Sequence, residues 1–226
     1  MLTVGLDESS NRDQIRLAER FEGVFVAVGR HPNDAGGFDT AAADDLLELA
    51  SHPTVRAIGE TGLDFYRDTA DPADQRRAFE AQIALALETG LPIVIHLRDR
   101  QGRDEAAAET FSMLSAAGDD LTVVLHCFSA PDRLDEAVSR GWFCSFAGNV
   151  TYPANEDLRE AAARVPDELI LVETDAPYLT PQSRRRQRNE PAFVAETAAF
   201  VAEARGVGLD EFDRTVTSNA ARLFGW

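Results

Sequence analysis

Short apolar runs alternate with amphipathic stretches from one end of the chain to the other, and this alternation predicts a repeated strand–helix unit. Strands are expected at residues 2–5, 24–29, 55–60, 92–96, 122–126, 142–146 and 169–173. Helices are expected over 9–22, 41–51, 74–89, 103–117, 132–140, 155–164, 190–205 and 210–223. Within 74–89, Phe79, Ile83, Ala86 and Leu87 recur on one face, and Gly90 supplies the left-handed residue that ends a helix. Asn189 and Pro191 open the stretch 190–205, and Gly206 closes it. Strands that are apolar on both faces and joined by helical crossovers read as parallel, with right-handed connections. The expectation is one α/β domain over residues 1–226, a TIM-type (β/α)8 barrel. Seven strand patterns are one short of the closed eight, and the first is only four residues long, so the first βα unit is expected to be missing from this chain.

Candidate chemistry follows from what ends the strands. Glu60, His96, His126 and Asp175 each stand at or just beyond the end of a strand pattern. The C-terminal ends of barrel strands are where such folds carry their reactions. Imidazoles and carboxylates brought together there suit a divalent metal. His31, in Gly29-Arg30-His31-Pro32, ends the second strand pattern and is expected at the same rim as a substrate contact. Arg98 lies two residues beyond His96, and Arg67 lies in the loop after Glu60; guanidinium groups pair with phosphate at two points. Phe65, Tyr66 and Tyr178 are placed either to stack on bases or to pack. His52, before Pro53, is expected at ordinary surface.

Composition alters this picture only at its edges. A net charge of −17 opposes sequence-independent nucleic-acid binding over the whole surface, but allows a basic cleft. The single basic cluster is Ser183-Arg184-Arg185-Arg186-Gln187-Arg188, and every basic residue in the chain is arginine. Cys127 and Cys144 are expected to be reduced core residues, with Cys127 pointing away from the His126 side chain. No apolar run is long enough to span a bilayer and no signal-peptide pattern opens the chain, so the cytoplasm is the expected location, with no membrane partner.

Five segments carry a family resemblance: Gly59 to Arg67, Pro92 to Arg98, Leu125 to Ser129, Leu171 to Leu179, and Asn189 to Pro191. Their residues, order and spacing resemble the TatD family of metal-dependent deoxyribonucleases, over essentially the whole chain. The resemblance implies a hydrolase that cleaves phosphodiester bonds with metal-activated water, acting 3′-5′ on DNA, and it implies single-stranded ends as substrate. It implies two divalent ions, Mg²⁺, Mn²⁺ or Zn²⁺, in an intact site. Glu60 would bridge them, His96 and His126 would complete one, and Asp175 would bind the other and act as general base. Arg185 matches the family's arginine in the basic run, as a substrate contact, while Arg186 replaces its glycine. The family's first strand ends in His-x-His, and this sequence has no such tripeptide. Weak or single-metal occupancy and reduced activity are therefore expected. The alternatives are a barrel metallo-hydrolase of a small ester, lactone or amide, and a catalytically impaired metal-binding remnant. Oligomeric state is left open.

Overall fold

The computed structural model describes residues 1–67 and 69–226, which fall into two compact units, Met1–Val124 and Leu125–Trp226. In the first unit strand and helix alternate: β1 (Leu2–Val4), α1 (Glu8–Ala18), β2 (Phe25–Val28), α2 (Thr40–Ala50), β3 (Val55–Asp64), α3 (Pro72–Thr89), β4 (Ile93–Arg98) and α4 (Glu105–Ala116). β1, β2, β3 and β4 pair in that order, all parallel. β5 (Val123–Leu125) runs across the boundary between the units. The second unit contains α5 (Leu134–Ser139), β6 (Phe143–Phe146), α6 (Glu156–Arg164), β7 (Ile170–Val172), α7 (Val194–Arg205) and α8 (Leu209–Phe224), with β6 and β7 paired in parallel.

Each core is built from strand residues and the inward faces of helices. Ile58, Leu63, Ile93 and Ile95 from strands meet Phe79, Phe111 and Leu114 from helices in the first unit, all fully buried. Phe146, Ile170, Leu134 and Phe212 play that part in the second. Parallel strands covered by helices lose water from both faces, which is why they are apolar almost throughout.

Three side-chain amides of the first unit lie among those apolar faces. Asn11 on α1, and Gln75 and Gln82 on α3, are buried among them. Each turns its amide to one backbone residue as a neighbouring strand would. Asn11 Nδ2 donates to the carbonyl of Gly29 (2.9 Å), and Asn11 Oδ1 accepts the Gly29 N–H (3.1 Å). Gln82 accepts from Arg30 N–H (2.8 Å) and donates to the Arg30 carbonyl (3.1 Å). Gln75 accepts from Asp64 N–H (2.9 Å) and donates to the Asp64 carbonyl (3.1 Å). The backbone just past β2 and at the end of β3 is thus satisfied by side chains where the ladder stops.

Several boundaries differ from the expected ones. α1 ends at Ala18 rather than 22, and a turn through Gly23 carries the chain to β2. The helix expected from 190 starts with a 3-10 turn, Pro191–Phe193, and becomes α-helical at Val194. Asn189 does not cap it; its amide donates to the carbonyls of Thr174 and Tyr178. β3 does not close at Glu60 but continues to Asp64, because two glycines let it pass a distortion described below. β5 stops at Leu125, so His126 and Cys127 lie in a turn.

Candidate metal-binding sites in each unit

The first site begins with the backbone of β3. Ile58 pairs with Ile93 and Thr61 with Ile95, so three steps on β3 span two on β4, and the extra residue is accommodated at Gly59-Glu60. Such a bulge re-aims a side chain, here Glu60. Gly59 and Gly62 have φ of +134° and +139°, and a Cβ on either would fall 2.5 Å from the Val94 carbonyl oxygen or 2.0 Å from that of His96. Only glycine permits that approach.

Glu60 Oε1 lies 2.7 Å from His96 Nδ1, and both side chains are largely buried. On the other edge of the ring, His96 Nε2 lies 3.2 Å from Asp64 Oδ2. Asp64 is buried at the end of β3. Burial alone would raise its carboxyl pKa, but hydrogen bonds from His96, the backbone N–H of Arg67 and the Asn33 amide outweigh burial and hold it at about 2. An ionised Asp64 accepts a hydrogen bond from the Nε2–H, which leaves the Nδ1 lone pair of a neutral His96 facing a carboxylate at 2.7 Å. Two lone pairs at that distance require a cation or a proton between them. Carboxylate oxygen and imidazole nitrogen are a donor set for divalent ions, so these residues fit a metal.

His31 approaches the same point, with Nε2 3.3 Å from His96 Nδ1 and 3.7 Å from Glu60 Oε1. Its Nδ1 accepts the N–H of Asn33 at 3.1 Å. A backbone N–H can only donate, so Nδ1 carries a lone pair and a neutral ring carries its proton on Nε2. His31 therefore points a donor into the cluster, which suits contact with an anionic oxygen better than ligation.

The second unit repeats the pairing of acid and imidazole. His126 Nδ1 lies 2.7 Å from Glu173 Oε1, which also accepts the N–H of Cys127 at 3.1 Å. With Nδ1 donating to Glu173, Nε2 presents its lone pair 3.9 Å from Asp175 Oδ1. That gap suits one ion with ligand distances of about 2.0–2.2 Å. Asp175 has φ +53°, a left-handed conformation that aspartate tolerates better than most residues. The Asn189 amide holds the carbonyls on either side of it.

Glu173 and Asp64 carry no role in the sequence reading. The arginines are placed as follows. Arg98 lies 4.1 Å above the Tyr66 ring. Arg67 is exposed, and its backbone N–H donates to Asp64. Arg185 donates to the Tyr152 hydroxyl (2.6 Å) and stacks on that ring at 4.0 Å, while Arg184 pairs with Glu196 at 3.0 Å. The basic run is thus partly engaged inside its own unit. Tyr66 and Tyr178 are exposed, and His52 is held by Thr54 and Glu19.

Two measurements test these assignments. In chelator-treated protein, the depressed carboxyl of Asp64 contributes stability above its usual value of 3.8, which is lost as pH falls from there toward about 2. Urea unfolding should show that acid limb, and Asp64→Asn should flatten it while removing about 2 kcal/mol near pH 7. Glu173→Ala should weaken Mn²⁺ binding in equilibrium dialysis about 10–100-fold. Glu173→Gln, which keeps an acceptor for Nδ1, should weaken it less. Equal affinity in both variants would remove Glu173 from this role.

The sequence profile of the family described as TatD related DNase matches residues 1–225. A relative from Mycobacterium tuberculosis, named an uncharacterized metal-dependent hydrolase TatD, is 39% identical over 231 residues, covering 100% of this chain and 85% of its own length. A relative from Citrobacter koseri, named a 3′-5′ ssDNA/RNA exonuclease TatD, is 35% identical over 232 residues, covering 100% of this chain and 87% of its own. The crystal structure of the Escherichia coli TatD homolog YjjV superposes with a TM-score of 0.90 at 25% identity, covering 100% of this chain and 86% of that one. The Escherichia coli phosphotriesterase homology protein matches in fold, with a TM-score of 0.64 at 16% identity, over 99% of this chain and 83% of its own. The fold class is the α/β, TIM-type barrel of metallo-dependent hydrolases. The chain belongs to the TatD related DNase family and is a metal-dependent hydrolase.

Proposed function

We propose that the chain is a deoxyribonuclease that removes nucleotides from the 3′ ends of single-stranded DNA. The observation that carries this reading is the approach of Glu60 Oε1 to His96 Nδ1 at 2.7 Å, with His31 Nε2 3.3 Å from the same nitrogen. Glu60 and His96 in the first unit, and His126 and Asp175 in the second, would hold divalent metal. Mixed oxygen and imidazole donors suit Mg²⁺, Mn²⁺ or Zn²⁺. Ions bound there would supply an acidified water and draw charge from the phosphate. His31 donates from Nε2 to a phosphate oxygen. Asp175, partly open to solvent, takes the proton of the attacking water. Arg67, Arg98 and Arg185 offset the phosphate charge of an incoming strand, which the net charge of −17 would otherwise repel. The name borne by the Citrobacter koseri relative supports a single-stranded substrate. Among the described residues no helix is long and apolar enough to cross a membrane, and the proposed place of action is the cytoplasm.

The test is release of nucleotides from 3′-labelled single-stranded DNA with Mg²⁺ or Mn²⁺. Activity should vanish with chelator and fall by at least about 10³-fold in Glu60→Ala. Hydrolysis of small esters or lactones with none of DNA would overturn the nuclease reading and leave a hydrolase of another substrate.

A further inference from the structure

The parallel ladder between β2 and β3 runs as far as Val28 opposite Ile58. One step further the two backbones press together, so that a Cβ on Gly29 would fall 2.5 Å from the Gly59 carbonyl carbon. Just beyond those glycines come two members of the first cluster, His31 from one side and Glu60 from the other. A side chain of α3 joins the two segments there. Gln82 is fully buried, and besides its two bonds to Arg30 its Nε2 donates to the Thr61 hydroxyl oxygen at 2.7 Å. Arg30 precedes His31 and Thr61 follows Glu60, so the amide stands in for the next rung of the ladder.

Both ends of this bridge are themselves held. Thr61 is buried and pairs with Ile95 on β4. On the β1 side the His31 N–H donates to the Leu6 carbonyl at 2.9 Å. Gln82 is anchored in its own helix as well, since Nε2 lies 3.0 Å from the Ala78 carbonyl. Segments held at their flanks and bridged between them fix the separation of His31 Nε2 and Glu60 Oε1, which is 3.7 Å. That separation decides what Glu60 can bind. Hydrogen bonds from N–H to oxygen close at about 2.7–3.2 Å, so the Nε2–H of His31 stands just outside reach of Oε1. A shift of about 0.5 Å would let it bond to the carboxylate and compete there with an ion.

We propose that Gln82 is a positioning residue, which holds the donor edge of His31 off Glu60 and so keeps that carboxylate open to a divalent ion. The inference rests on the metal reading of the first cluster and adds to it the side chain that sets the cluster's spacing. Gln82 acts through the Arg30 backbone and the Thr61 hydroxyl, from the helix side of the sheet.

The experiment is equilibrium dialysis of the full chain against Mn²⁺, scoring the binding that Glu60→Ala removes. Gln82→Met keeps the length of the side chain without its amide and should weaken that binding about tenfold. Thr61→Val cuts the bridge from the other end, leaves the Arg30 bonds in place and should weaken binding in the same direction. It carries the test if Gln82→Met does not fold. Once His31→Ala has removed the competing donor, either substitution should cost at most about twofold. Phe212→Leu, a core change in the second unit, should lower the melting temperature and leave Mn²⁺ affinity as it was. Wild-type affinity in the folded bridge variants, or the same loss with and without the His31 ring, would overturn the positioning role. If Glu60→Ala itself leaves Mn²⁺ binding unchanged, the metal reading of the cluster fails and this inference fails with it. If Glu60→Ala removes binding and the bridge variants do not weaken it, only the inference fails.

Discussion

The first unit depends on side-chain amides acting as pieces of backbone. A parallel strand that stops at the rim leaves N–H and C=O groups with no neighbour, and burying them unpaired costs about 1–3 kcal/mol each. Asn11, Gln82 and Gln75 meet that need at Gly29, Arg30 and Asp64, each bonding to the N–H and the carbonyl of one residue. His31 follows Arg30 directly, and Asp64 is the residue that orients His96. The backbone beside the cluster is thus fixed from behind by helices α1 and α3. The second unit uses the same device with one-sided bonds. Asn219 holds the carbonyls of Asp167 and Ile170 at the start of β7, and Asn189 holds those of Thr174 and Tyr178 after it.

Fixing the backbone matters because the chemistry depends on which ring edge faces which acid. In each unit one carboxylate accepts a hydrogen bond from an imidazole N–H and a second faces the opposite nitrogen: Asp64 and Glu60 about His96, Glu173 and Asp175 about His126. An orienting acid fixes the tautomer and raises the basicity of the nitrogen that binds an ion. His31 is held in the other sense by the N–H of Asn33, and so it donates. His31 is thereby given a different task from His96 and His126 by what its far nitrogen touches.

Much of this was legible in the sequence, and the parts that were not have specific causes. The runs ending at His96 and Leu125 read as strands because they are unbroken and apolar, and Gly90 marked the end of α3 because the chain there is left-handed. The continuation of β3 to Asp64 was hidden by Gly59 and Gly62, which lower strand propensity yet are required where β3 passes the carbonyls of β4. Gln75 and Gln82 fall on the buried stripe of α3, but a search for apolar periodicity passes over polar residues. Glu173 stands only two residues before Asp175, but its partner His126 lies 47 residues earlier and is found only by folding. The tautomer of His31 depends on a backbone N–H, which no side-chain pattern encodes.

The claim at the centre of this account is that Glu60 and His96 Nδ1 face one another because a cation belongs between them. Anomalous diffraction from crystals grown with Mn²⁺ measures this directly. The account predicts a peak bonded to Glu60 and to His96 through Nδ1, with Asp64 still on Nε2. Ligation through Nε2 with Asp64 displaced, or a fully occupied ion elsewhere and none at Glu60, would contradict it.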